Sequence, residues 1–225
     1  MDDRICDLGM YRMIPKEESM IFNIYNYVEI PPMTGVVERD VRELLCRNRK
    51  EKTFRHVSEV AGVCKILAEM LGLDIQKCVI DGMLHDISAV MAPADMLEYA
   101  IRHGFELCDA ERKYPFLLHQ RISGIIAEEF FGIGELDVLS AIGCHTTLKA
   151  EPTDYDMVLF IADKLAWDQE GIPPFYNEVK SGLEVSLKRA CYEYMKYMND
   201  NGKIMCPHTN WSLAFDYLTE QMINE

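Results

Sequence analysis

The chain has 225 residues, 49% of them hydrophobic, enough for one globular core with little left to build a second. Its 23 basic residues stand against 37 acidic ones for a net charge of −14; this lacks the basic footprint of a protein that tracks a nucleic-acid polymer or an anionic membrane. No apolar run reaches the ~18 residues of a membrane span, and MDDRICDLGMYRM has neither the basic end nor the apolar stretch of a secretory leader, so a cytoplasmic location is expected.

Residues 1–37 read differently from the rest. MIFNIYNYVEI is rich in Ile, Tyr, Phe and Asn and ends in Pro31-Pro32, the composition of an extended arm or short hairpin closed by a turn. Residues 38–225 are helical nearly throughout and form one all-α bundle, with breaks at Gly72, Pro93, Gly104, Pro115, the FGIG at 131–134, Pro152, Pro173-Pro174, Gly202 and Pro207. The second helix carries an apolar stripe of Val57, Val60, Ala61, Cys64, Leu67, Ala68 and Leu71, with His56 at its beginning. The next, over about 75–88, turns Val79, Ile80, Met83, Leu84 and Ile87 inward and carries His85-Asp86 in its last turn. His119 opens a helix of about 119–130, and His145 ends one of about 135–145, followed by Thr146-Thr147. Asp163 lies in MVLFIADKLAW, an apolar helix of about 155–167, where a carboxylate is costly to bury unless a cation meets it.

Eight cysteines, at positions 6, 46, 64, 78, 108, 144, 191 and 206, form no CxxC pair and read as small buried hydrophobes of a reducing compartment. Cys144 beside His145 is a weak nucleophile pair, because successive helical residues point to different faces. The fourteen methionines are dispersed along helical stripes and read as core. His103, before Gly104, and His208, after Pro207, are read as a polar helix end and a turn.

Six residues, His56, His85, Asp86, His119, His145 and Asp163, sit in the order and spacing of a metal cage. Taken singly, each has the plain reading of a cap, a surface group or a satisfied core group. Taken together, imidazole nitrogens and carboxylate oxygens spread over several helices are a donor set for divalent first-row metals.

A lone histidine, a His-Asp pair, two more histidines and a distant aspartate, in that order, resemble the ligands of the two-metal branch of the HD superfamily of metal-dependent hydrolases. The blocks FRHVSEVAGVCKILAEMLGLD, GMLHD, HGFELCDAE, LLHQRISGIIAEEFFGI, AIGCHTT and LFIADK are similar to the YqeK-type HD proteins, which are symmetrical diadenosine tetraphosphate hydrolases. The resemblance implies an HD-domain helical bundle over about residues 38–225 and two divalent metal ions, iron first, with manganese or zinc also suited. It implies one ion on His56, His85, Asp86 and Asp163, and a second on His119 and His145. The bridging carboxylate of Asp86 is the central catalytic group, and a water activated between the ions attacks phosphorus. The substrate it implies is a small nucleotide. Thr146 and Thr147 match the family's HTT and are expected to bond phosphate. Lys52 shares a helix face with His56 one turn away, and Arg121 and Lys149 are further phosphate candidates because they neighbour ligand positions. A homodimer is expected only on the general frequency of two-fold assemblies.

Three places depart from the family's pattern: Ala89 and Leu148, where many relatives carry lysine and glycine, and the stretch ADKLAWDQEGIPPF at 162–175. Trp167 in that stretch either stacks on a base or fills the core, the latter favoured. Lys164 can replace the cation lost at Ala89, although helical geometry turns it about 100° from Asp163. Two rival functions share the ligand order, an HD-type di-iron oxygenase and a non-catalytic nucleotide sensor, since ligand identity does not set redox chemistry.

Overall fold

The computed structural model describes residues 27–167 and 169–224. Among them are eleven α-helices, two short 3-10 turns and no strand. The all-α bundle expected from the sequence is the architecture found. Residues 1–26, most of the expected arm, lie outside the described residues.

Residues 27–36 run without helix into α1 (Val37–Arg47). They are tied down by side chains: Glu29 N donates to Asn48 Oδ1, whose Nδ2 returns a bond to Glu29 O. The buried Asp40 carboxylate accepts from the backbone of Thr34 and Gly35 at 2.8 Å each. α2 (Glu51–Leu71) is the long helix of the bundle and ends at Gly72, whose φ of 70° suits a residue without Cβ. Its buried residues are Val57, Val60, Ala61, Cys64, Leu67 and Ala68, the expected stripe except for Leu71, which is exposed.

α3 (Ile75–Leu84) starts on Asp74, whose side chain accepts from Gln76 N and Lys77 N. Two expectations are corrected here. The helix stops at Leu84, so His85 and Asp86 lie in the turn between it and the 3-10 segment Ile87–Val90. Its buried face also includes Cys78, Asp81 and Gly82, while Val79 and Ile80 are only half-buried. Close packing causes the rotation: Gly82 presses against the backbone of Ala61 in α2, where a β-carbon would lie 2.5 Å from Cα. Asp81 is fully buried with no hydrogen-bond partner among the described residues. Burial pushes its carboxyl well above the ordinary range, which holds it neutral.

α4 (Pro93–Arg102), α5 (Asp109–Lys113) and the 3-10 turn Pro115–Leu118 lead to α6 (His119–Glu129) and α7 (Leu136–Cys144). α8 (Asp154–Leu165) begins with a reciprocal cap between Thr153 and Asp156. It buries every residue from Asp156 to Ala162, because α2, α3, α7 and α10 (Leu187–Asp200) all pack against it. α9 (Tyr176–Leu183) precedes α10, and α11 (Thr209–Asn224) closes the chain, with Trp211 against Phe160 and Tyr194. No helix among the described residues is long and apolar enough to cross a membrane. The described cysteines are free, with Cys64, Cys78, Cys144 and Cys191 buried.

Candidate metal centre

Five elements deliver six side chains to one place. His56 comes from the first turns of α2, and His85 and Asp86 from the turn after α3. His119 is the first residue of α6, His145 the residue after α7, and Asp163 lies near the end of α8. Four of the six stand at helix ends, where the side chain has room to turn inward without crossing its own helix.

The distances divide the cluster in two. His56 Nε2 is 3.0 Å and His85 Nε2 3.7 Å from Asp163 Oδ1. His119 Nε2 and His145 Nε2 are 2.9 Å apart, and both face Asp86 Oδ1, at 3.4 and 3.6 Å. The other oxygen, Asp86 Oδ2, faces His85 Nε2 at 3.7 Å. One carboxylate thus turns an oxygen to each imidazole group.

The imidazole tautomers are set by the backbone. His85, His119 and His145 each place Nδ1 against the carbonyl three residues earlier, of Gly82, Phe116 and Ile142, at 2.7–2.8 Å. A carbonyl only accepts, so Nδ1 carries the proton and the Nε2 lone pair points into the cluster. His85 Nε2 is buried there without a hydrogen-bond partner among the described residues. His119 and His145 oppose two lone pairs at 2.9 Å. Donors about 2.1 Å from one cation and at right angles would be about 3 Å apart, so the residues present fit divalent metal.

Electrostatics agree. Burial raises the Asp86 carboxyl, and positive charge beside it, at His85, His145 and His119, lowers it; with the imidazoles neutral, a bound cation would supply that charge. Burial would raise Asp163 as well, yet Lys164 and His56 keep it ionised. Burial pushes His145 down to about 4, keeping it neutral, the form that ligates metal. Lys164 is nearly buried: its Nζ bonds Asp163 Oδ2 and packs over the rings of Phe160 and Tyr194. The 100° offset expected between neighbouring residues does not separate them, because the lysine stem is long enough to fold back.

The expected phosphate contacts fare unequally. Thr146 Oγ1 donates to His119 Nε2 at 3.0 Å and stands at the cluster. Lys52 is exposed and lines, with Arg55, His56, Glu59 and Trp167, a cavity of about 490 Å³. Three candidates are turned away. Thr147 is 2% exposed, its hydroxyl engaged by Gln120 and Leu148 O. Lys149 is committed to Ser140 and the buried Asp156. Arg121 bonds Glu111 and the carbonyl of Glu106 and lies over Phe105. Sequence neighbourhood misled because adjacent residues in a turn or helix face opposite ways.

Sequence reading missed the supports. Gln120, buried, accepts the backbone N–H of Thr146 and Thr147 through Oε1. Ser88 Oγ donates to His119 O and accepts from Ser123 Oγ, joining the turn after Asp86 to α6. Leu148 has φ 57°, a left-handed conformation that favours glycine, and its side chain is buried. Cys144 is buried and its thiol pushed well up by burial, so it is no nucleophile at neutral pH.

A second cluster, Cys108, Glu111 and His208, also brings possible donor atoms together. Here the tautomer argues against metal: His208 Nδ1 accepts from Asn210 N at 3.0 Å, leaving the Nε2 proton directed at Glu111 Oε1, 3.5 Å away. The contact instead brings the segment just before α11 against Glu111. Burial raises the Glu111 carboxyl, but His208, the Cys108 N–H and Arg121 outweigh it and bring it from 4.5 down to about 2. A carboxyl lowered on folding stabilises above its unfolded value and loses that contribution as pH falls through its folded one. Glu111→Gln is therefore expected to cost about 3 kcal/mol at pH 7 and to lessen the loss of stability between about pH 4.5 and 2. Urea unfolding at pH 7 and 3 measures this; equal acid sensitivity in both proteins would refute it.

Comparison with known proteins agrees with the geometry. The chain is similar to a Lactococcus lactis protein described as an uncharacterized protein in the pepC 5' region, with 39% identity over 56% of this chain and 65% of that one. It is 33% identical to the symmetrical bis(5'-nucleosyl)-tetraphosphatase of Staphylococcus aureus, over 50% of this chain and 58% of that enzyme. It thus spans less than two thirds of either relative. A crystal structure from Clostridium acetobutylicum, described as a predicted HD superfamily hydrolase involved in NAD metabolism, superposes with a TM-score of 0.72 at 26% identity, covering 81% of this chain and 97% of that one. The HD domain family model matches residues 53–168, a span that contains all six clustered side chains, and the chain belongs to the HD domain family.

Proposed function

We propose that this chain is a metal-dependent phosphohydrolase that cleaves diadenosine tetraphosphate symmetrically to two ADP. The observation that carries the reading is the divided Asp86 carboxylate, with one oxygen toward His119 and His145 and the other toward His85. In this reading His56, His85, Asp86 and Asp163 hold one divalent ion, and His119, His145 and Asp86 the other, iron being the first expectation and manganese or zinc also suited. When bound, such ions bring the pKa of water toward ~7 and draw charge from phosphoryl oxygens.

The chain's own residues supply the rest. The backbone-locked imidazoles keep their lone pairs aimed inward, so little reorganisation is needed at the moment of reaction. The Thr146 hydroxyl, once released from His119, is placed to donate to a phosphate oxygen. Lys52 and Arg55 line the cavity that reaches His56 and offset a polyphosphate's charge in a protein of net −14. Central cleavage expels a nucleoside diphosphate whose charge is already delocalised, so positioning and electrostatics carry the reaction with little call for a general acid. The tetraphosphatase name of the Staphylococcus aureus relative supports the substrate.

The test is product analysis after incubating anaerobically purified, iron- or manganese-loaded protein with diadenosine tetraphosphate. Two ADP per substrate consumed is the expected result; AMP plus ATP, or no turnover with either metal, overturns the proposal. Oxygen uptake with an organophosphonate would instead identify an oxygenase, and tight nucleotide binding without turnover a sensor.

A further inference from the structure

A cavity of about 380 Å³ opens directly beside His56 and Asp163, within the roughly 300–1,000 Å³ of small-molecule sites. Its far wall is aromatic. Phe175, buried, meets Trp167 edge-on at 5.7 Å between centroids, Tyr194 at 4.8 Å and Tyr197 at 6.2 Å. Trp167 and Phe175 come from the segment joining α8 to α9, and Tyr194 and Tyr197 from α10. The charged or ionisable groups in its lining are His56, Asp163 and Lys164 from the clustered residues and Lys203, which is exposed.

Trp167 packs against the core, as expected, yet one side of it remains open. It is half-buried and borders both this cavity and the Lys52 cavity. Its indole N–H is shielded from solvent with no acceptor among the described residues, an arrangement that ordinary cores avoid. A flat group whose anionic tail reaches the clustered histidines fits these walls.

We propose that this cavity seats a purine base of the substrate by stacking on its aromatic wall, with Trp167 as the ring that senses occupancy. The proposal rests on the nucleotide reading above and names where the base goes. The wall is built from aromatic rings, and stacking on rings does not distinguish one base from another, so adenine and guanine are accepted alike.

The chain has two tryptophans, so in a Trp211→Phe background the fluorescence of the manganese-loaded protein reports Trp167 alone. AMP and GMP are expected to quench it saturably with affinities within tenfold of each other, while ribose 5-phosphate, which keeps the phosphate and lacks the base, does not. In the otherwise native chain, Trp167→Ala should raise KM for diadenosine tetraphosphate at least tenfold with kcat within threefold, and Trp167→Phe should restore KM. Equal responses to AMP and ribose 5-phosphate, or an unchanged KM in Trp167→Ala, overturn the pocket even if the tetraphosphate is cleaved. Selective quenching by AMP and GMP in a protein that cleaves no nucleotide would uphold the pocket and refute only the proposed reaction.

Discussion

Asp86→Ala is expected to lower hydrolysis by on the order of 10³-fold or more, with helical content unchanged. The size follows from position: the carboxylate faces both imidazole sets, with Oδ1 3.4 Å from His119 and Oδ2 3.7 Å from His85. Removing a group that merely orients a ligand costs ~10–100-fold in metal affinity or activity; removing a bridging ligand should weaken both proposed ions together. Metal content per chain, read by elemental analysis beside the rate, separates this from simple loss of one charge. Asp86→Asn keeps the shape and one acceptor oxygen, so partial retention of one ion is expected there. A fully active Asp86→Ala protein would refute the proposed centre.

The second large effect is expected far from any charge. Gly82→Ala adds a β-carbon 2.5 Å from Ala61 Cα and 2.6 Å from Ala61 N. These are backbone atoms and cannot rotate aside, so α2 and α3 must separate by about 1 Å to reach ordinary contact. Overpacking of this kind costs about 3 kcal/mol, a fall of roughly 6–12 °C in Tm for a chain of this size. The site suffers as well: His56 rides on α2, and His85 hangs from Gly82 through its Nδ1 contact with that residue's carbonyl. A displacement of about 1 Å in such a constellation costs ~100-fold in rate. Thermal unfolding by circular dichroism and the rate of nucleotide hydrolysis test both halves. A variant with unchanged Tm would show that the helices have slack that the packing denies them.

Much of the protein was legible as text because helices announce themselves locally. The stripe from Val57 to Ala68 and the glycine that ends α2 depend on residues within a turn or two of each other, and the breaks followed from the φ preferences of glycine and proline. The six clustered residues were legible for another reason: histidine and aspartate in one fixed order form a donor set, and the HD domain match covers them all. What the text misjudged was direction. Arg121, Thr147 and Lys149 neighbour the cluster in sequence and spend their polar atoms on Glu111, Gln120 and Asp156.

The sequence by itself determined the all-α class and the helix order, which rest on local periodicity, and the resemblance of its His and Asp order to the HD superfamily pointed to the six clustered side chains. Only the tertiary structure decided the rest. It rotated α3 onto Gly82, gave the two oxygens of Asp86 different neighbours, locked three imidazoles on backbone carbonyls, folded Lys164 back to Asp163 and gathered four aromatic rings from two distant segments beside His56. Those arrangements depend on how close two helices can approach and on which polar atom is left over when all others are paired, quantities that belong to the packed chain as a whole.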